Sequence, residues 1–322
     1  MEEIDNVVAA AKNRIDEKVE DFKLTNDSIN ICKNVSIIIQ QLNDFIDKEL
    51  ELSEERVKYL LDYLVGYFTI TLDIPMDKGV KILRARKFDE IEKIHCFEDV
   101  SKLSYNPKGS KIKIGRLNKE NESIYYGCIY FKDNAGINVA FSEVNALKLE
   151  KINILESKAI QDINLRYIGI FDYIKKQVQP WFICPENYSV FEEVYKYVEK
   201  TFDPHIFIAF QLCDAFFSDI LRRKESNRLY IVTSILASLF LNGDKVDGIL
   251  YTSVKAEGSP VLAIKVESRY KIEHESAISF EIQESYGYAL YKAKTLYKGQ
   301  IYGEKIAWQK YGCNDKHTQR FL

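Results

Sequence analysis

The strongest constraint in this sequence is the absence of helix breakers from its opening part: the first glycine is Gly66 and the first proline is Pro75. Glycine and proline are the residues that most often end a helix, so a stretch without either favours helix. Apolar residues recur there at the three- and four-residue spacing of an amphipathic helix, at Ile4, Val7, Val8, Ala11, Ile15, Val19 and Phe22.

Two more helices are predicted before the first proline. A turn at residues 25–28 precedes a second helix over about residues 29–50. Ser53, followed by Glu54 and Glu55, predicts the N-cap of a third helix that ends near Thr69. Residues 1–73 are therefore predicted to form an N-terminal helical unit, for which packing or dimerisation is the simplest role.

The residue pattern changes at Val80, where short segments rich in Ile, Val, Tyr and Phe alternate with turn sequences such as NPKG and KDNAG. We expect antiparallel strands and hairpins in KILRARKF, SKIKIGRL, SIYYGCIYF and INVAFSEV, with a short helix over about residues 140–147. Helices return over about residues 186–242, where Ser189 and Glu192 form a candidate capping box. DGILYTSV and PVLAIKVES then predict strands, and the tail is expected to be strand-rich.

Composition narrows the class of protein. The 322 residues are 46% apolar and 29% charged, which indicates a soluble globular chain large enough for two domains. Its 45 basic and 48 acidic side chains give a net charge of −3, so we expect no long-range attraction to nucleic acid or to an acidic membrane.

Location and metal content follow from the same composition. The charged N-terminus does not resemble a signal peptide, and the longest apolar runs are too short to span a bilayer, which predicts a cytoplasmic protein without a membrane partner. The six cysteines and four histidines are scattered along the chain, so we expect reduced thiols and no metal site.

Several short motifs carry residue types that could do chemistry. Taken singly, an arginine in a strand is usually a surface or salt-bridge residue, a glutamate at a helix start is usually a cap or a solvated charge, and a serine after a strand is usually part of a turn. Their order along the chain is more informative: Arg84-Ala85-Arg86, Gly115-Arg116, Tyr125-Tyr126, Glu143 and Ser253.

In that order the motifs resemble the RES domain family, which is named for its arginine, glutamate and serine. The resemblance covers residues 80–266 and is most characteristic in YIVTSILASLFLNGDKVDGILYTSV. It implies a catalytic α+β domain over residues 74–322, with a split antiparallel β-core and flanking helices like that of ADP-ribosyltransferase toxins. Residues 186–242 would be a helical insertion in this domain.

The resemblance implies an enzyme that depletes NAD⁺ as a toxin or defence effector. Such an enzyme splits the nicotinamide–ribose bond, either as an NAD⁺ phosphorylase or as an NAD⁺ glycohydrolase, with no cofactor besides the substrate and, for phosphorolysis, inorganic phosphate. The family's first arginine falls on Arg84 or Arg86, and its glycine-arginine motif falls on Gly115 and Arg116. Arginine suits the pyrophosphate because it forms paired, charge-assisted hydrogen bonds without losing its proton.

The remaining family residues would act at the ribose and the nicotinamide. The family's tyrosine falls on Tyr125 or Tyr126 and would stack on the nicotinamide ring. Glu143 would stabilise an oxocarbenium-like transition state, and Ser253 would hydrogen-bond the ribose or the carboxamide. The sequence departs from the family in three ways: the stretch before Glu143 is longer than usual, the asparagine often found beyond the serine is not seen, and the helical unit 1–73 is not part of the family's domain.

Two other functions stay open at this point. The chain could be an ADP-ribosyltransferase that modifies a protein or nucleic acid, or a non-catalytic interaction protein that uses residues 1–73. The resemblance also implies an antitoxin-like or regulatory partner, or restraint by residues 1–73. The sequence does not decide between water and phosphate as the acceptor, nor whether the chain forms a homo-oligomer.

Overall fold

The computed structural model describes residues 2–25, 27–88, 96–106, 111–130, 135–180, 182–253, 255–256 and 258–311. These residues form an α+β fold and separate into two compact units. The first unit contains Met1–Ile74, Ile114–Lys119 and Arg166–Tyr251, and the second contains Pro75–Lys113, Glu120–Leu165 and Thr252–Leu322. The helices predicted over residues 186–242 therefore belong to the same unit as the N-terminal helices.

The elements are numbered along the chain. The helices are α1 (Glu2–Thr25), α2 (Ser28–Ile46), α3 (Glu54–Phe68), α4 (Ala135–Glu143), α5 (Ile170–Lys175), α6 (Pro185–Thr201), α7 (Pro204–Ile220) and α8 (Asn227–Phe240). The strands are β1 (Asp73–Met76), β2 (Lys81–Lys87), β3 (Ile124–Ile129), β4 (Lys151–Ala159), β5 (Ile163–Tyr167), β6 (Gly248–Thr252), β7 (Pro260–Lys265), β8 (Ile272–Gly287), β9 (Leu290–Tyr302) and β10 (Lys305–Lys310).

In the first unit, helices pack in pairs that are distant in sequence: α1 on α6, α2 on α7 and α3 on α8. The predicted stripe of α1 is buried at Val8, Ala11 and Ile15. Ser53 is the N-cap of α3, as predicted, because its hydroxyl accepts a hydrogen bond from the main-chain N–H of Arg56. Apolar faces of this kind need a partner, and the later helices provide it.

The second unit is built on a sheet with the strand order β7-β3-β2-β4-β8-β9-β10, in which each pairing is antiparallel. Its long hairpin, β8–β9, turns at Tyr288 and Ala289, which both have positive φ. Consecutive residues of the central strands are buried, such as Ile82 and Leu83 of β2 and Ile124 and Tyr125 of β3, so both faces of the sheet are covered there.

One pairing in this sheet is unusually short. β2 pairs with β4 along its whole length, from Lys81 to Lys87, but it pairs with β3 only at Ile82 and Leu83. Among the described residues no further pair joins β2 to β3, so the two strands separate from Arg84 onwards. We call this opening the split. It divides a β7-β3 part of the sheet from a β2-β4-β8-β9-β10 part.

Three local predictions were wrong. SKIKIGRL contains no strand in its described residues 111–117, because its end, Ile114–Lys119, joins the first unit. INVAFSEV lies within or just after α4, since burial of Ile137 and Phe141 outweighs the strand preference of its β-branched residues. Ser189 does not cap α6, which starts earlier at Pro185, a residue suited to the first helical position.

Candidate functional site

Glu143 and Ser253 meet in the second unit although 110 residues separate them in sequence. Glu143 is the last residue of α4, and Ser253 directly follows β6. The Ser253 hydroxyl donates a hydrogen bond to Glu143 Oε1 and accepts one from the main-chain N–H of Ala256 at 2.9 Å. Lys255 Nζ lies 3.0 Å from the main-chain oxygen of Glu143, to which it donates. The loop after β6 thus contacts both the carboxylate and the main-chain oxygen of Glu143.

Glu143 lies close enough to β3 for its charge to affect the pKa of Cys128. Burial raises the pKa of the Cys128 thiol, and the nearby carboxylate of Glu143 raises it further. Side chains alternate between the faces of a strand, and Cys128 pairs with Leu83, so Tyr126 lies on the same face as Cys128. Tyr125 points to the opposite face. The two candidate tyrosines are thereby distinguished: Tyr126 shares the face near Glu143.

Arg84 lies at the beginning of the split, on the face of Tyr125. Its guanidinium carbon is 5.2 Å from the centre of the Tyr125 ring, and its Nη1 donates across the split to the main-chain oxygen of Ile124 at 3.3 Å. Burial is the main influence on the pKa of Arg84 and lowers it, although a guanidinium stays protonated. No carboxylate among the described residues forms an ion pair with it. With respect to the described residues, Arg84 is therefore a cation with N–H donors left for a ligand.

A chain of polar side chains fixes the far end of the Tyr125 ring. The Tyr125 hydroxyl is 2.9 Å from Ser157 Oγ, which is 2.9 Å from His274 Nδ1. His274 Nε2 is in turn 2.7 Å from Ser104 Oγ. Both serines and Tyr125 are buried, and burial, helped by the charge of Arg84, lowers the pKa of His274 to about 4. The imidazole is thus neutral at physiological pH.

The other two arginines are engaged elsewhere. Arg86 donates to the main-chain oxygen of Lys102 and lies 5.5 Å from the centre of the Phe97 ring. Arg116, after Gly115, belongs to the first unit. Its Nη1 and Nη2 donate to the main-chain oxygens of Leu221 (2.8 Å) and Arg223 (3.1 Å), just beyond the end of α7. Cations are favourable at a helix C-terminus, where carbonyl groups lack helical partners.

Of the residues proposed from the sequence, the structure brings together Glu143 with Ser253 and Arg84 with Tyr125. At β2 and β3 these two groups lie on opposite faces of the sheet, so one ligand that contacts both must pass through the split.

Sequence reasoning missed four polar residues of these clusters. They are Ser104, Ser157, Lys255 and His274. No spacing marks Ser104, Ser157 and His274, because they come from three distant segments. The register of β4 and β8 pairs Ser157 with His274, and Ser104 contacts His274 from the segment 96–106. Lys255 lies two residues after Ser253, and that closeness was the only available signal.

The first unit contains a separate feature, a small cavity with room for about one water molecule. Aromatic rings such as Phe171 and Phe210 line it together with Asp214. Burial, and secondarily the charge of Asp172, raises the pKa of Asp214 to about 7. The Thr69 hydroxyl is buried with no hydrogen-bond partner in the structure. This cavity is too small for a nucleotide.

In the part of the chain that the structure describes, no three His, Cys, Asp or Glu residues are grouped so that they could hold a metal ion. None of the helices described is long and apolar enough to cross a membrane.

No protein-family model matches the chain, and no curated protein has a significantly similar sequence.

Proposed function

We propose that this chain cleaves the nicotinamide–ribose bond of NAD⁺, with Glu143 and Ser253 at the reacting ribose. The observation that supports this most is the hydrogen bond from Ser253 to Glu143, which joins two residues that the order of the sequence motifs singles out and that lie 110 residues apart. A glutamate held by a hydroxyl is a fixed negative charge, which is what a developing sugar cation requires.

The chemistry needs only one carboxylate. Nicotinamide leaves NAD⁺ as a neutral molecule, because the electron pair of the broken C–N bond neutralises the pyridinium nitrogen. No general acid is therefore required, whereas ordinary glycosidases use two carboxyl groups. Glu143 would stabilise the oxocarbenium-like ribose, and Ser253 would keep its carboxylate in place.

Arg84 is the candidate for the pyrophosphate. Its position in the split and its lack of a carboxylate partner among the described residues suit a doubly anionic group. The proposed substrate would lie through the split, with its pyrophosphate at Arg84 and its nicotinamide ribose at Glu143. A sheet divided in this way is also the feature that supports an ADP-ribosyltransferase-like fold, which we include in the proposal.

Tyr126 is a better candidate than Tyr125 for stacking on nicotinamide. Tyr125 is fully buried, with Arg84 over its ring, the Tyr105 ring 5.2 Å away and its hydroxyl bonded to Ser157. Tyr126 is only partly buried and lies on the face near Glu143. Arg86 and Arg116, by contrast, are proposed to stabilise the fold and not to bind substrate, because both donate hydrogen bonds to main-chain oxygens.

Product analysis tests the reaction. Purified chain is incubated with NAD⁺ with and without inorganic phosphate, and nicotinamide, ADP-ribose and ADP-ribose 1″-phosphate are separated by chromatography. We expect nicotinamide release that falls by about 10²–10³-fold in Glu143→Gln, the loss typical of an electrostatic catalytic group. Glu304→Gln, at an exposed site in the β9–β10 turn, is the control and should keep full activity.

The same assay separates the alternatives. A phosphate-dependent 1″-phosphate product identifies a phosphorylase, ADP-ribose identifies a glycohydrolase, and label on a macromolecule after incubation with lysate identifies a transferase. Absence of nicotinamide release from folded protein under all these conditions contradicts the proposal. Two further proposals depend on this activity. One is that the chain acts as a toxin that depletes NAD⁺, and the other is that a partner protein neutralises it.

A further inference from the structure

The polar chain that runs from Ser104 through His274 and Ser157 to Tyr125 joins four separate segments of the second unit. It starts in the segment 96–106, which covers this face of the sheet, and passes through β8 and β4 to β3. Buried polar groups of this kind are costly unless each finds a partner, so a continuous chain fixes the segments that contribute to it.

The end of the chain bears directly on Arg84. The ring of Tyr125 lies under the guanidinium of Arg84, and Ser157 fixes the hydroxyl of that ring. Within the described part of the chain Arg84 makes one hydrogen bond, at 3.3 Å, which is too long to determine its orientation alone. The orientation of Arg84 therefore depends on the position of Tyr125.

We propose that His274 is a positioning residue: acting through Ser157 and Tyr125, it holds Arg84 in the orientation that receives the pyrophosphate of NAD⁺. This inference rests on the proposed function, because it names the residue that prepares the same site for its substrate.

The charge state of His274 couples it to whatever binds at Arg84. Burial and the charge of Arg84 lower the pKa of this imidazole to about 4, since a second positive charge beside the guanidinium is unfavourable. A bound anion offsets the charge of Arg84. Because linkage is reciprocal, binding of an anion at Arg84 must raise the pKa of His274. The pKa of His274 therefore reports whether an anion lies at Arg84, and the positioning role itself is tested by the affinity for NAD⁺.

Steady-state kinetics of NAD⁺ cleavage provide the first test. In His274→Ala we expect KM for NAD⁺ to rise about tenfold, which equals about 1.4 kcal/mol, with kcat changed less than twofold, because binding at Arg84 is weakened and the ribose site is intact. His274→Gln, which keeps a hydrogen-bonding group, should restore part of the loss. His205→Ala, at a partly exposed site in the first turn of α7, is the control. An unchanged KM, or a loss in kcat alone, overturns the inference.

The second test uses the wild-type protein and does not need turnover. The ring resonances of His274 are followed by NMR as pH falls, with and without inorganic pyrophosphate, and Arg84→Met serves as the variant without the cation. We expect pyrophosphate to move the His274 midpoint upwards in wild type and not in Arg84→Met. If pyrophosphate leaves the midpoint of the His274 titration unchanged in wild type, the inference is overturned. If the wild type releases no nicotinamide but the midpoint moves, the proposed function fails and His274 still reports an anion at Arg84.

Discussion

Replacing Asp214 by asparagine should stabilise the first unit at neutral and alkaline pH. Burial beside Asp172 raises the pKa of the Asp214 carboxyl from 3.8 to about 7 in the folded chain. Between these two values the folded state holds a proton that the unfolded state has lost. The free energy of unfolding must therefore fall as pH rises through this range.

The size of the effect follows from the two pKa values. Each pH unit between them corresponds to about 1.4 kcal/mol, so an ionised Asp214 costs the folded chain up to about 4 kcal/mol at pH 8. Asparagine cannot ionise, and its carbonyl oxygen can still accept the hydrogen bond that Asp214 Oδ2 accepts from the main-chain N–H of Asp172 at 3.1 Å. Asp214→Asn should thus match wild type at pH 4 and exceed it at pH 8.

Urea unfolding followed by circular dichroism at several pH values measures this difference. Asp62→Asn, at an exposed position on α3, is the matched control and should follow wild type throughout. If Asp214→Asn gains no stability over wild type between pH 4 and pH 8, Asp214 is solvated or paired in the folded chain, and burial does not raise its pKa.

Three further outcomes can be measured on single variants. Arg116→Ala should destabilise the chain by about 2–4 kcal/mol in urea unfolding, because two charge-assisted hydrogen bonds to the end of α7 are lost; a fall in NAD⁺ affinity with unchanged stability would assign Arg116 to the substrate instead. Gly127→Ala should lower stability by about 1–3 kcal/mol, since its new methyl group would lie 2.5 Å from Ile82 Cγ2; unchanged thermal melting would contradict this packing. Ser253→Ala should reduce kcat for nicotinamide release by about tenfold, less than Glu143→Gln, because it removes only the group that orients the carboxylate; an equal or larger loss would make Ser253 a direct participant.

The helices were largely predictable from the sequence because they depend on local signals. The absence of breakers, the apolar spacing of α1 and the N-cap at Ser53 each act within a few residues. Pairing of the helices was not predictable, since an apolar stripe does not specify its partner. For the same reason the sequence separated residues 1–73 from the later helices, whereas packing joins them.

Predictions failed where long-range contacts outweigh local preference. INVAFSEV contains β-branched residues that favour strand, yet burial of one side of a short helix determines its structure. SKIKIGRL alternates like a strand, but Gly115 and Arg116 are drawn to the end of α7 by main-chain oxygens more than 100 residues away. β4 carries no clear period-two pattern and was not predicted.

The sequence predicted which residues form the candidate site, but it did not predict how they are arranged in space. The order of the motifs selects Arg84, Glu143 and Ser253, but register decides that Arg84 faces Tyr125 and that Tyr126 faces the side of Glu143. His274 could not be found from sequence, because its role depends on which strands lie beside β8.

The most direct measurement is a crystal structure of Glu143→Gln with NAD⁺ bound, in which the slow variant retains its substrate. We expect a dinucleotide that passes between β2 and β3, with its pyrophosphate on the Arg84 guanidinium and its nicotinamide ribose against residue 143 and Ser253. NAD⁺ bound away from the opening between these strands, or contacting neither Arg84 nor Ser253, would contradict this expectation.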